Sequence, residues 1–242
     1  VAARKKIRST ESFFAEPPSL AIAGGAGLPG STENIMKLYA LTKSLNSRKV
    51  LALIHHLDLP VEIDAMTVEQ VQSDAYGEIN PNRLAPTLVD GDFVLWESNA
   101  IGLYLAEGSA MIPADRRQRL DMLRWMQWEG VHYNKALGTI FFESVVRPQL
   151  GWGATNQPLV DDALVQAARL LPVLDAHLAT REFMLGDELS FADFAIASAE
   201  PYRDAMPVDF DAYPNVQRFY DTIALLPAWQ KALGQPRMAV AA

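Results

Sequence analysis

The chain has 242 residues, 50% of them hydrophobic and 21% charged, which is enough for one large or two small domains around a sizeable core. Its formal net charge of -8 argues against a nucleic-acid partner, because phosphate binding needs a basic surface, and no apolar run reaches the ~20 residues of a membrane span. The absence of cysteine removes disulfides, thiolate nucleophiles and cysteine–zinc sites together, and fits a reducing, cytoplasmic compartment.

Residues 1–35 differ from the rest. A basic opening, Arg4-Lys5-Lys6-Ile7-Arg8, leads to Pro17-Pro18 and then to a glycine-rich run. Gly25-Ala26-Gly27-Leu28-Pro29-Gly30 matches a dinucleotide fingerprint by letter only. Such a fingerprint must open a helix whose free N–H groups meet phosphate, and here Pro29 interrupts it and a strand-like run follows. Leu20-Ala21-Ile22-Ala23 is too short for the apolar core of a secretory signal. The expectation is a disordered extension, or one made by a misplaced start ahead of Met36.

From Met36 the pattern is regular. A strand is expected over 36–41, then a polar turn and a helix over 46–57 with Val50, Leu51, Leu53, Ile54 and Leu57 at helical spacing. Pro60 ends that helix, and 61–64 reads as a second strand. A loosely helical stretch over 68–76 closes at Asn80-Pro81. Two strands, 87–89 and 93–96, flank Asp90-Gly91-Asp92, a hairpin whose Asp-Gly supports positive φ. A helix over 97–106 completes β-α-β-α-β-β-α, a four-stranded mixed sheet of thioredoxin-like order. After a linker near 108–113 the signals are helical: 116–133, 159–180, 190–199, 214–226 and 228–233. Ser190 with Asp193 three residues on forms a capping box, with Leu189 and Phe194 as its hydrophobic staple. The division is therefore 1–35 as extension, 36–107 as an α/β domain, 114–234 as an all-α domain and 235–242 as a tail. Four histidines, His55, His56, His132 and His177, lack metal-ligand spacing, so no metal is expected.

Three stretches carry a family resemblance. Asn80-Pro81-Asn82-Arg83-Leu84-Ala85-Pro86, the hairpin and then Glu97-Ser98 resemble the glutathione-site signature of cytosolic glutathione transferases. Ser190-Phe191-Ala192-Asp193 is similar to the family's C-terminal capping motif. Residues 143–151, from Glu143 to Gly151, resemble a stretch of plant phi-class and related bacterial enzymes. The resemblance covers 36 to about 233. It implies an N-terminal thioredoxin-like domain that binds glutathione as co-substrate and a helical domain that holds a small hydrophobic electrophile. It further implies a cytoplasmic homodimer, a role in detoxification, and no nucleic-acid or membrane partner.

It also implies site residues. Pro86 would be cis, turning the backbone of Ala85 outward to pair with the cysteinyl part of glutathione like an added strand. Ser98 would hold the γ-glutamyl carboxylate at a helix start, where free N–H groups favour an anion, and Glu97 its amine. Ser47-Arg48-Lys49-Val50, aligned with the serine-type classes, places Ser44 as the catalytic donor to the thiolate, with Ser47 and Asn46 as alternatives. Ser44 also reads as a helix N-cap. Tyrosine-type classes would want Tyr where Ala40 stands, and the cysteine-dependent classes have no cysteine to use. Leu84 departs from the pattern: related enzymes carry Lys or Gln there, in contact with a glutathione carboxylate. Lys43, Gln70 and Gln72 are possible substitutes. Trp125, Trp128, Glu129, His132 and Tyr133 recur at three-to-four spacing; Trp125 suits core or a dimer contact, and Trp128 and His132 are candidates for the hydrophobic pocket. Peroxide reduction or dehalogenation on the same site, or a non-catalytic binding role, are the alternative functions.

Overall fold

Alternating burial marks the first strand, β1 (Met36–Ala40), with Leu38 and Ala40 fully inside. The structure, a computed structural model, describes residues 35–233; the expected extension over 1–35, except Ile35, and the tail over 235–242 lie outside them. β1 feeds α1 (Leu45–Leu57), which begins one residue earlier than the apolar spacing suggests because Ser44 caps it. Asp58, in the left-handed region at φ 50°, ends it. β2 (Val61–Ala65) follows, and then two short helices, α2 (Val68–Val71) and α3 (Asp74–Gly77), where a loose helical stretch is expected. β3 (Thr87–Asp90) and β4 (Phe93–Trp96) form the hairpin. Its turn places Gly91 at φ 60°, a left-handed value that glycine adopts without a Cβ penalty.

The strands make one mixed sheet in the order β2-β1-β3-β4. β1 pairs parallel with β2 and antiparallel with β3, so Leu38 faces Ile63 on one side and Leu88 on the other. α4 (Ser98–Ala106) follows β4 and packs against α1. Glu97 lies outside this helix as its N-cap rather than in its first turn.

The helical part contains the largest departure from expectation. α5 (Arg116–Trp128) does not end near Tyr133. It passes through a π turn, Glu129–Tyr133, into α6 (Asn134–Phe141), then through a second π turn, Phe142–Val146, into α7 (Arg147–Gln149). Each π turn adds a residue relative to the 3.6 repeat, so the apolar face shifts register and the periodicity fades. α8 (Gln157–Leu178), α9 (Phe191–Ile196), α10 (Pro214–Ala224) and α11 (Pro227–Ala232) complete the set. α9 is shorter than 190–199 because the chain tightens into a 3-10 turn from Ala197 to Ala205. The capping box forms through its acid: the Ser190 N–H donates to Asp193 Oδ2 at 2.7 Å, and the Met184 N–H donates to Oδ1 at 2.6 Å.

The sheet part rests on the helical part through α1, which packs against α9 and α11. Phe194 of α9 stacks on Trp229 of α11 at 5.8 Å, and both are fully buried. α4 approaches α9 so closely that a Cβ on Gly102 would stand 1.8 Å from the ring of Phe191. Glycine is required there by space, since only a bare α-carbon lets the ring in. These contacts hold the starts of α1 and α4 in a fixed relation.

Candidate functional site

The loop ahead of β3 is fixed by buried polar side chains. Asn80 is 1% exposed; its amide donates to the Leu84 carbonyl at 2.8 Å and to Thr87 Oγ1 at 2.9 Å, while its oxygen accepts from the Asn82 N–H at 3.0 Å. The Tyr76 hydroxyl donates to the same Leu84 carbonyl at 2.9 Å. With the Leu84 carbonyl anchored twice, the next peptide, Ala85–Pro86, is cis. Among the described residues neither the N–H nor the C=O of Ala85 has a hydrogen-bond partner. An extended ligand strand can use both groups.

Opposite stands the start of α4. Glu97 has φ 74° and ψ 109°, a conformation that costs a non-glycine residue about 1–3 kcal/mol and recurs at ligand clamps. It is exposed, whereas Ser98 is buried. The first helical bond runs from the Ile101 N–H to the Glu97 carbonyl, which leaves the N–H groups before it without intrahelical partners. These groups and the helix dipole favour an anion. Together with Asn46 from α1, the two walls enclose a small open cleft of about 80 Å³ lined by Ala85, Pro86, Trp96, Glu97 and Ser98. Four of the expected glutathione contacts, Ala85, Pro86, Glu97 and Ser98, thus line one cleft.

The three candidates for the thiolate donor separate physically. Ser44 Oγ accepts the Ser47 N–H at 3.5 Å as a long cap, and its own hydrogen has no acceptor among the described residues. Accepting through a lone pair and donating through hydrogen are compatible. Ser47 is fully buried and among the described residues its Oγ has no partner, so it faces the core and not the cleft. Asn46 lines the cleft, with its oxygen held by the Asn134 amide at 2.7 Å.

Behind the cleft lies a group of residues to which sequence patterning assigns no role. Lys49 of α1 and Glu129 of the first π turn are 1% and 0% exposed and meet at 2.9 Å. Asn99 of α4 accepts from Lys49 Nζ at 3.1 Å and donates to Glu129 Oε2 at 3.0 Å. The helix that carries Ser44 at its cap, the helix that begins at Ser98 and the long helix are tied at this point. Its one visible signal is a lysine set among apolar residues of α1.

None of the possible substitutes for the residue missing at Leu84, Lys43, Gln70 and Gln72, lines the cleft, and the adjacent Arg83 is engaged elsewhere. Arg83 sits at φ 52° and pairs with Asp74 at 2.6 Å. Gln72 donates to the Arg83 carbonyl, and Gln70 closes the α2 capping box. Lys43 lines a second, larger cavity of about 630 Å³ with Arg48, Gln149, Tyr202, Leu225 and Leu233.

Trp128 and His132 line neither of these two cavities. On an α-helix, residues four apart share a face, but the π turn adds a residue between successive turns. Trp128 instead stacks on Tyr133 at 5.2 Å and meets Trp125 edge-on at 5.2 Å, while His132 is exposed. Trp125, 3% exposed, belongs to the core. The 143–151 stretch secures the end of the long helix: Arg147 binds Glu143 at 2.7 Å and holds its carboxyl below the usual range. Among the described residues no group of three or more His, Asp or Glu side chains is placed to hold a metal ion, and no helix is long and apolar enough to cross a membrane.

Comparison with known proteins agrees with this geometry. Residues 38–110 match the family model described as glutathione S-transferase, N-terminal domain, and residues 133–227 match glutathione S-transferase, C-terminal domain. Glutathione S-transferase 3 of Zea mays is 35% identical over 213 residues, covering 82% of this chain and 93% of that protein. Glutathione S-transferase GstB of Escherichia coli (strain K12) is 32% identical over 209 residues, covering 84% and 99%. Among solved structures, the theta class glutathione S-transferase from the citrus canker pathogen Xanthomonas axonopodis pv. citri, with glutathione bound, superposes with a TM-score of 0.75 at 27% identity, covering 86% of this chain and all of that one. The chain belongs to the glutathione S-transferase family and is an enzyme with glutathione transferase function.

Proposed function

We propose that this enzyme adds the glutathione thiolate to a small hydrophobic electrophile, with Ser44 donating to the sulfur. The observation that carries this reading is the position of Ser44. Its hydroxyl oxygen caps α1 and its hydrogen is uncommitted, at a point between Lys43, which lines the large cavity, and Asn46, which lines the small cleft. A sulfur anion there faces both spaces. A hydroxyl donor and a helix N-terminus both favour S⁻ over S–H.

In this assignment Ser98 and the α4 start hold the γ-glutamyl carboxylate, Glu97 holds the amine, and the backbone of Ala85 pairs with the cysteinyl residue. The thiol proton leaves to solvent, the sulfur lone pair forms the new S–C bond, and the acceptor's displaced electron pair leaves with its leaving group or shifts into the acceptor. The acceptor occupies the larger cavity against Tyr202, Leu225 and Leu233 rather than Trp128 and His132, and its volume of about 630 Å³ suits a small apolar molecule. A second donor is favoured by one observation, the presence of Asn46 in the cleft wall.

Steady-state kinetics with an aryl halide test the partition. Ser98→Ala should raise KM for glutathione roughly tenfold, the value of one charge-assisted hydrogen bond, and leave KM for the halide alone; Leu225→Asp should do the reverse. A shared effect of both variants on one substrate contradicts the assignment. Phe93 of the edge strand β4 and Tyr104 of α4 form an exposed aromatic pair, 5.5 Å between rings, which suits contact with a second copy of this chain in a cytoplasmic homodimer. Light scattering giving the mass of a single 26.7 kDa chain contradicts that part.

A further inference from the structure

Glutathione at neutral pH carries two carboxylates and one ammonium. On the assignment above, one carboxylate lies at the start of α4 and the ammonium at Glu97. The glycyl carboxylate remains. Of the nine residues lining the cleft, eight are uncharged and the ninth is Glu97, an acid. An extended third residue reaches only about 3.5 Å beyond the cysteinyl residue, so it still lies along this wall.

The cations of the neighbouring elements are committed or turned aside. Arg83 is held by Asp74 at 2.6 Å and by the Gln72 carbonyl at 2.9 Å. Lys49 is buried against Glu129. Arg48 is 2% exposed and lies over the Tyr202 ring, and Lys43 lines the other cavity. What the cleft does present is apolar surface and neutral donors: Leu84 is 63% exposed, Trp96 is 42% exposed, and the Asn82 amide stands beside them. A neutral N–H can donate to an ester or amide carbonyl as well as to a carboxylate, and in an exposed site water screens much of the carboxylate's advantage. Leu84 favours a third residue without charge.

We propose that this cleft recognises γ-glutamyl-cysteinyl thiols by their first two residues and is indifferent to the charge of the third, so that thiols with an amidated or esterified glycyl end are substrates on a par with glutathione. The proposal rests on the glutathione assignment above and deepens it by naming the thiol class.

Titration calorimetry on the full chain tests it with three ligands: glutathione, its glycyl monoethyl ester, and N-acetylglutathione, which lacks the ammonium. The ester should bind within about threefold of glutathione, whereas N-acetylglutathione should bind at least about tenfold more weakly, the usual cost of losing a charge-assisted contact. Leu84→Lys, at an exposed position, supplies the absent cation and should bind the ester about tenfold more weakly than glutathione. Lys43→Ala should leave the ester-to-glutathione ratio as it is. An ester more than threefold weaker in the unaltered enzyme, or a Leu84→Lys variant that still binds both alike, overturns the inference while glutathione binding itself leaves the functional reading standing. Failure of glutathione and ester alike to bind overturns both.

Discussion

The small cleft beside β3 and the large cavity beside α11 are built in different ways. The cleft is made of backbone held by named side chains: Asn80 and Tyr76 anchor one carbonyl, a cis proline follows, and Glu97 takes a left-handed φ to open α4. The cavity is what remains where α7, the 3-10 turn, α10 and α11 meet the β1–α1 turn, and its walls are ordinary side chains. A charged peptide ligand needs donors and acceptors at set points, so its site demands particular residues. An apolar ligand needs room, which many side-chain combinations provide equally well.

The contrast can be broken most severely at the point that ties α1 and α4 to the long helix. Lys49→Met leaves Glu129 buried without its cation, which costs about 3–5 kcal/mol, and denaturant unfolding should show a loss of that order. The double variant Lys49→Met/Glu129→Leu should recover most of it, because buried ion pairs owe much of their desolvation cost to the charges themselves. A single variant as stable as the wild type would mean that α1, α4 and the long helix are held by packing alone.

Gly102→Ala acts on the same junction sterically. The new methyl would overlap the Phe191 ring, and α4 must shift from α9 at a cost of roughly 1–3 kcal/mol. Thermal unfolding should reveal the loss, and glutathione affinity should fall with it as Ser98 moves. Unchanged affinity alongside lost stability would separate the cleft from the junction.

A pH-dependent effect concerns α9 of the helical part. Burial pushes the Asp193 carboxyl up to about 6. The folded state therefore holds this proton more tightly than the unfolded chain, so its contribution is present below the unfolded value near 3.8 and is lost as pH rises through about 6. The slope is at most about 1.4 kcal/mol per pH unit. Asp193→Asn should remove that part of the pH dependence between 4 and 6, measured by denaturant midpoints, and an identical slope in the variant contradicts it.

Legibility followed the same division. The family resemblance singled out Pro86, Glu97 and Ser98, which line one cleft, and the Asp-Gly turn and Ser190 cap were visible because turns and helix starts restrict residue choice. Lys49, Asn99 and Glu129 lie on three separated elements, and no local pattern joins them before the chain folds. Trp128 and His132 were grouped on a 3.6 repeat that assumes an unbroken α-helix, while the π turn from Glu129 to Tyr133 changes the register between them. The larger cavity draws on residues from 43 to 233, so it could not be read from any one segment.

The central claim is that Ser44 makes the thiolate, and the thiol titration of the enzyme–glutathione complex tests it most directly. Thiolate absorbance and the pH–rate profile would be recorded for the wild type, Ser44→Ala and Asn46→Ala at saturating glutathione. Ser44→Ala should still bind glutathione through Glu97, Ser98 and Ala85. The apparent pKa of its bound thiol should rise, and the rate near neutral pH should fall roughly tenfold to a thousandfold, as for loss of one donor to an anion, with part of the loss recovered at higher pH. A Ser44→Ala profile that matches wild type, while Asn46→Ala loses the thiolate signal, would contradict the account and move the sulfur to the cleft wall.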